Sequence, residues 1–248
     1  MLTNSDIKLI NSLKISKHRK EHGLFLVEGP KMLEELLANP LFKILFVAAI
    51  PSWAKNLPSD STFEVKEISE KALQKFSNFS TANEVLAVVH IPEYPSFFPT
   101  KEELFLVLDG LQDPGNLGTI IRTAEWFGIK DILCSANTVD CFNPKVVQAT
   151  MGSIFRVRCH YLDLQVLLQE TNLPIYGTLL NGQNIYNQKL ESSGFIVVGN
   201  ESKGISREIQ KLITKPLTIP SFNFSKAESL NASVATAIVC AEFRRNQK

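Results

Sequence analysis

The apolar run Leu104-Phe-Leu-Val-Leu108 stops at Asp109-Gly-Leu-Gln-Asp-Pro-Gly-Asn116, and a helical-period run follows at once. An unbroken apolar run bounded by turn residues reads as a buried strand. Gly110, Asp113, Pro114 and Gly115 make a turn cluster that separates it from the next element. Leu117, Ile120, Ile121, Ala124 and Phe127 then recur at helical spacing. Asn116 is expected at the N-cap, its side-chain oxygen free for the first-turn N–H groups. At about 100° per residue, Arg122 points roughly opposite the apolar stripe. The stretch therefore holds an Arg on a rigid helix, facing away from the core.

Two later stretches have a similar build. Gly194-Phe-Ile-Val-Val198 stops at Gly199-Asn-Glu201-Ser-Lys-Gly204, with Ser206 expected to cap a following helix. Glycines at both ends of that turn let backbone approach a ligand closely. It contains no G-x-G-x-x-G, and no Lys-Ser/Thr pair follows it, so a dinucleotide or P-loop reading does not hold. Leu217-Thr-Ile219-Pro220 leads through a polar segment, 221–228, into Ser229-Leu-Asn231-Ala-Ser233 and a C-terminal helix. Ser229 and Asn231 are candidate caps of that helix. Val234, Ile238 and Ala241 share one stripe, among small residues suited to packing against a helix or a partner subunit. All three loops follow parallel-looking strands, and open α/β sheets bind ligands at those ends. A composite site is expected there.

A length of 248 residues suggests two domains. In the first half, strands are expected at 24–27, 44–47, 63–68 and 85–91, with helices at 30–38 and 70–76. That alternation indicates a small α/β layer domain. Glu28-Gly29-Pro30 reads as a strand-to-helix turn with Pro30 at the first helical position. The segment from Pro92 to Pro99 holds further prolines that stiffen it into a linker, dividing the chain into domains 1–98 and 99–248. In the second half, helices at 143–151 and 162–170, an extended stretch at 154–161 and a strand at 175–179 are expected.

The composition is that of an ordinary globular protein, with 44% hydrophobic and 21% charged residues. A net charge of +1 requires any basic surface to be local. Lys14, Lys17, Arg19 and Lys20 in the basic run 8–22 form either a solvated helix face or a phosphate-contacting patch. The N-terminus lacks the build of a signal peptide, and no apolar stretch is long enough to span a bilayer. Cys134, Cys141, Cys159 and Cys240 have no close paired spacing, which argues for buried reduced thiols and a cytoplasmic setting rather than zinc or disulfides. A hydrolase built on Ser229 or Ser233 lacks a partner, since the four His lie at 18, 22, 90 and 160 and no nucleophile elbow is present.

Asp109-Gly-Leu-Gln-Asp-Pro114 with Asn116-Leu-Gly-x-x-x-Arg122, then Val198-Gly-Asn-Glu201-x-x-Gly204, then Ile219-Pro220 with Ser229-Leu-Asn231-x-Ser233-Val-Ala235 follow one another in order. Together they resemble the SpoU (TrmH-like) branch of the SPOUT methyltransferases, which methylate RNA at the ribose 2′-oxygen. The resemblance covers residues 102–248. Residues 1–91, with Leu26-Val-Glu-Gly-Pro-Lys31, look like that family's N-terminal substrate-binding domain, a small α/β/α sandwich akin to ribosomal RNA-binding proteins. The segment 221–228 is longer than usual, and Ala232 replaces a frequent Val.

The resemblance implies an α/β fold: a C-terminal trefoil-knot domain binding S-adenosylmethionine, joined to the sandwich. It also implies a homodimer formed through the C-terminal domain, with the site completed across it. Asn116, Arg122, Glu201, Ser229 and Asn231 become the catalytic set. Leu179, Gly199, Ile219, Leu230 and Asn231 become the cofactor residues, and Lys14, Lys17, Arg19 and Lys20 the RNA contacts. No metal and no membrane are implied. A guanidinium stays protonated, so Arg122 is expected to bind a phosphate and stabilise the developing alkoxide rather than act as a base. Asn116 would orient Arg122 or the ribose, and Glu201 would hold an N–H-rich loop or pair with Arg122. Ribosomal RNA is preferred to transfer RNA as substrate. The rival is a non-catalytic RNA-binding or ribosome-assembly factor that keeps the fold, against which the intact polar set argues.

Overall fold

The computed structural model describes residues 1–55, 57, 62–77, 83–222 and 227–245. They form two compact units. The first is residues 1–94 with 140–155, and the second is 95–139 with 156–248. The sequence division at residue 98 is contiguous, whereas here residues 140–155 belong with the first unit.

The first unit runs α1 (Asn4–Ser12), α2 (Ser16–His22), β1 (Leu24–Glu28), α3 (Pro30–Leu37), β2 (Ile44–Ala49), α4 (Pro51–Ala54), β3 (Glu64–Glu67), α5 (Glu70–Gln74) and β4 (Val85–His90). Its sheet has the order β1-β4-β2-β3, with β4 antiparallel to both neighbours and β2 parallel to β3. Every strand and helix expected in this half is present. Side chains alternate across a strand. Leu24, Leu26, Phe46, Leu86 and Val88 thus share one core with Ile10, Leu13 and Leu73. Phe25, on the opposite face, meets Phe42 and Phe142 at ring distances of 6.1 and 4.6 Å. Helices cover both faces, as in an α/β/α sandwich. Pro30 occupies the first turn of α3, where its missing N–H matters least.

Arg19, expected among the RNA-contacting cations, is a core residue at 1% exposure. Its Nε and Nη2 donate to Asp140 Oδ2 at 2.9 and 2.6 Å, and its Nη1 donates to the Leu13 carbonyl at 2.9 Å. A guanidinium committed to those acceptors has no face left for a phosphate. Lys17 and Lys20 are exposed and Lys14 is half-buried.

The second unit begins with β5 (Leu104–Asp109), α6 (Pro114–Trp126) and β6 (Asp131–Cys134). Helix α7 (Pro144–Ala149) comes next in the chain and packs on β1 of the first unit. The second unit continues with β7 (Arg158–Tyr161), α8 (Leu164–Glu170), β8 (Ile175–Asn184), β9 (Gly194–Gly199), α9 (Arg207–Gln210), β10 (Lys215–Thr218) and α10 (Ala232–Arg244). Its six strands are all parallel, in the order β10-β8-β9-β5-β6-β7. Strands covered on both faces read as continuous apolar runs, and β5 and β9 are buried throughout.

Two expectations change here. The stretch 154–161 is extended only from Arg158, because Ser153–Phe155 makes a 3-10 turn. Strand β8 runs on to Asn184, and its pairing with β10 jumps from Gly177–Pro216 to Gln183–Leu217. At the rejoining point a Cβ on Gly182 would lie 2.4 Å from the Leu217 carbonyl carbon, so only glycine fits this approach. Of the polar segment 221–228, residues 223–226 lie outside the described residues. All four cysteines are buried, with none in a disulfide. No helix among the described residues is long and apolar enough to cross a membrane.

Candidate active site

The loops after β5, β9 and β10 leave the same end of the parallel sheet. Helix α6 starts earlier than expected: Asp113 is its N-cap, its Oδ1 accepting from Asn116 N at 2.7 Å, and Pro114 sits in the first turn. Pro114 and Gly115 look like a turn in sequence, but a first-turn Pro loses no helical hydrogen bond. Asn116 is therefore a helical residue, buried at 8% exposure, with its amide freed from capping.

That amide links the three loops. Asn116 Nδ2 donates to Glu201 Oε1 at 3.1 Å, and Asn231 Nδ2 donates to Asn116 Oδ1 at 2.9 Å. The polarity is fixed from both ends. Ionised Glu201 only accepts, so the Asn116 nitrogen must face it and its oxygen must face Asn231. Asn231 then turns its own oxygen to Ser233 N and Val234 N, at 2.9 and 3.3 Å, as the N-cap of α10.

Glu201 also accepts from the backbone N–H groups of Gln112 and Asp113, at 3.4 and 3.3 Å. Burial pushes its carboxyl up, but the bonds from Asn116 and from backbone N–H groups outweigh burial and hold it below the ordinary carboxylate range. Of its two expected roles, holding an N–H-rich loop is the one present; no bond to Arg122 is formed. Asn200, missed in sequence, clamps the same loops: its Nδ2 donates to the Gly110 carbonyl at 2.8 Å, and its Oδ1 accepts from Ser202 N and Lys203 N at 3.0 Å each. Asp109 Oδ2 accepts from Ser206 N at 2.7 Å. Ser206 is at the N-cap of α9, as expected, though its side chain makes no capping bond. The available signal was an Asn directly after the strand-ending Gly199, a position suited to an Asx turn.

Gly199 allows the β9 loop to close. A Cβ there would meet the Gly204 carbonyl carbon and Ile205 N at 2.2 Å each, and Asn200 and Gly204 pair across the turn.

Arg122 is exposed on α6, and among the described residues no hydrogen bond or ion pair engages it. Ser229 is exposed and does not join the Asn231–Asn116–Glu201 chain. Leu179 and Ile219 are half-buried beside β8 and β10, tied together where Thr218 Oγ1 donates to the Leu180 carbonyl at 3.2 Å. Leu230 is 49% exposed beside the Asn231 cap. The set offers apolar side chains next to close-packed loop backbone and amide groups, which fits an adenosyl group with its polar amino-acid tail. Among the described residues, no three His, Cys, Asp or Glu side chains converge as metal ligands do. Helix α10 packs on α6, with Thr236, Val239, Cys240 and Phe243 buried. The stripe Val234–Ile238–Ala241 lies on its open side, exposed or half-buried.

A parallel sheet carrying three polar loops joined at one end defines an α/β ligand-binding domain. Residues 103–241 match the SpoU rRNA Methylase family and residues 4–87 match the MRM3-like substrate binding domain, so the chain belongs to the SpoU rRNA methylase family. It is 31% identical to the Bacillus subtilis 23S rRNA (guanosine(2553)-2′-O)-methyltransferase RlmP, covering 97% of this chain and 96% of that protein. Among solved structures, an RNA methyltransferase assigned to the TrmH family from Porphyromonas gingivalis matches with TM-score 0.89 and 38% identity over all of both chains. The AdoMet-bound rRNA methyltransferase from Sinorhizobium meliloti matches with TM-score 0.88 and 28% identity, over 100% of this chain and 97% of that one. The parallel-sheet α/β architecture with its small N-terminal domain is that of these SPOUT structures.

Proposed function

We propose that this protein transfers the methyl group of S-adenosylmethionine to a ribose 2′-oxygen in ribosomal RNA. The observation that carries the reading is the chain Asn231–Asn116–Glu201, which joins the three loops into one preorganised polar site. The name of the B. subtilis relative and the bound AdoMet of the S. meliloti structure supply the substrate class and the cofactor.

S-adenosylmethionine supplies a methyl on a sulfonium, an electrophile that needs an oxygen nucleophile in line with the S–C bond. In this reading backbone around Leu179, Gly199, Ile219 and Leu230 would hold the cofactor, and Asn231 would line it. Bound there, S-adenosylmethionine would supply the methyl, the S–C bond breaking as the C–O bond forms to leave S-adenosylhomocysteine, and the 2′-hydroxyl proton would pass to solvent water. Arg122, permanently protonated, holds the neighbouring phosphate and neutralises the developing alkoxide. Glu201, held ionised and ringed by donors, is a strut for the loops rather than the proton acceptor. Ser229 is assigned to the same polar set. Lys14, Lys17 and Lys20 remain as first-unit phosphate contacts.

The functional unit in this reading is a homodimer formed through the second unit, in the cytoplasm. Supporting the dimer, α10 leaves Val234 48% exposed, next to Leu230. The buried cysteines, none in a disulfide, suit a reducing compartment. The test is isothermal titration with S-adenosylmethionine on wild type and Asn231→Ala, with the mass measured by light scattering. Micromolar binding by a dimer, weakened in the variant, is expected. No binding by a folded dimer, with or without RNA, would favour a non-catalytic RNA-binding factor.

A further inference from the structure

We infer that Trp126 is a stacking platform for a nucleobase of the substrate RNA, placed one helical turn beyond Arg122 on α6. The inference rests on the ribosomal RNA reading above. The chain has two tryptophans. Trp53 is partly buried and packs on the first-unit core, whereas Trp126 is 84% exposed. Indole is rarely left so open, because its burial is strongly favourable and it is highly buried on average.

Its placement is not random on the helix. Gly115, Thr119, Arg122 and Trp126 are all exposed and fall on one stripe of α6, while Leu117, Ile120, Ile121 and Ala124 of the opposite face are buried. The stripe starts beside Asn116 and ends at the indole, roughly 15 Å away at 1.5 Å per residue. Arg122 and Trp126 stand at i and i+4, with Cβ atoms roughly 5–6 Å apart. A guanidinium engaged with a phosphate would thus bring the base of an adjoining nucleotide over the indole. A second guanidinium stands at the end of α6, where Arg244 Nε donates to the Phe127 carbonyl at 2.9 Å. An exposed aromatic beside an uncommitted cation suits unstacked RNA, whose bases are read by stacking on aromatic side chains and whose phosphates are held by Arg.

The experiment compares Trp126→Ala and Trp126→Phe with wild type in methyl transfer to ribosomal RNA. It is paired with fluorescence titration of a Trp53→Phe variant, in which Trp126 is the reporter. At so exposed a position neither change removes core packing. The alanine variant should raise KM for RNA roughly 5- to 150-fold, with S-adenosylmethionine affinity and dimer mass unchanged. The phenylalanine variant should recover most of the loss, and RNA should quench the reporter. A KM within twofold of wild type in Trp126→Ala overturns the inference alone. So does a fall in dimer mass that accounts for the loss, which would make Trp126 a contact between copies. A wild type that methylates no ribosomal RNA overturns the functional reading beneath it as well.

Discussion

Asn231 uses both ends of one amide: its oxygen caps α10 at Ser233 N, and its nitrogen reaches Asn116 Oδ1 at 2.9 Å. The two roles can be separated. Asn231→Ala removes both, and the lost cap should destabilise the protein by about 0.5–2 kcal/mol. Asn231→Asp keeps the cap acceptor but sets an acceptor against Asn116 Oδ1, which cannot flip because Glu201 needs its nitrogen. Thermal melting should place Asp between wild type and Ala, because it keeps the cap but opposes two acceptors, while methyl transfer should fall in both. Full turnover by Asn231→Asp would show that the link does not matter.

Arg122 contributes nothing to the fold that the structure shows, since no described residue pairs with it. Arg122→Ala should change stability by about 0.5 kcal/mol or less and lower kcat by about 10²- to 10³-fold, the usual effect of losing one donor to a developing oxyanion. Arg122→Lys should stay well below wild type, because an ammonium lacks the planar fork. Near-normal turnover with normal RNA affinity in the lysine variant would contradict the assigned role.

The basic stretch should split into two behaviours. Arg19→Ala leaves Asp140 without its buried partner, and chemical denaturation should show a loss of about 3–5 kcal/mol. Lys17→Ala and Lys20→Ala should leave stability within about 0.5 kcal/mol. They should instead weaken RNA binding and reduce the dependence of log K on log salt by about 1 per phosphate lost. An unchanged salt slope in the double Lys variant would remove this helix from the RNA interface.

That contrast also shows what the sequence made legible. The buried strands and the loops that end them could be read from continuous apolar runs stopped by Gly and Pro, and the family from the motifs in those loops. Arg19 reads in sequence as an RNA contact, because its partner Asp140 lies 121 residues away and nothing in a basic run marks one member as buried. Asn116 reads as a cap in sequence because Asp113-Pro-Gly115 has turn composition. Only the observed Asp113–Asn116 bond shows that the helix begins before it. The membership of 140–155 in the first unit rests on contacts between distant segments with no local signature, such as Phe25 with Phe142 and Arg19 with Asp140.

The Glu201 carboxyl is held below its ordinary range, so its contribution has a defined pH sign. A lowered folded pKa gives stability that is complete above the unfolded value, about 4.3, and lost as pH falls through the folded value. The melting-temperature advantage of wild type over Glu201→Gln should be constant from about pH 8 to about pH 5 and shrink below about pH 4. An advantage that persists undiminished at the acid end would mean that the Glu201 charge does not hold the loops.

The most direct measurement follows the methyl group itself. Ribosomal RNA from cells lacking the protein is incubated with the purified enzyme and S-adenosylmethionine labelled in the methyl, then hydrolysed in alkali. A 2′-O-methyl group blocks cleavage of its own phosphodiester, so the predicted result is label in an alkali-resistant dinucleotide, appearing far more slowly with Arg122→Ala. Label recovered in mononucleotides would place the methyl on a base, and no label in any ribosomal RNA would leave the site without its assigned reaction; either result contradicts the account.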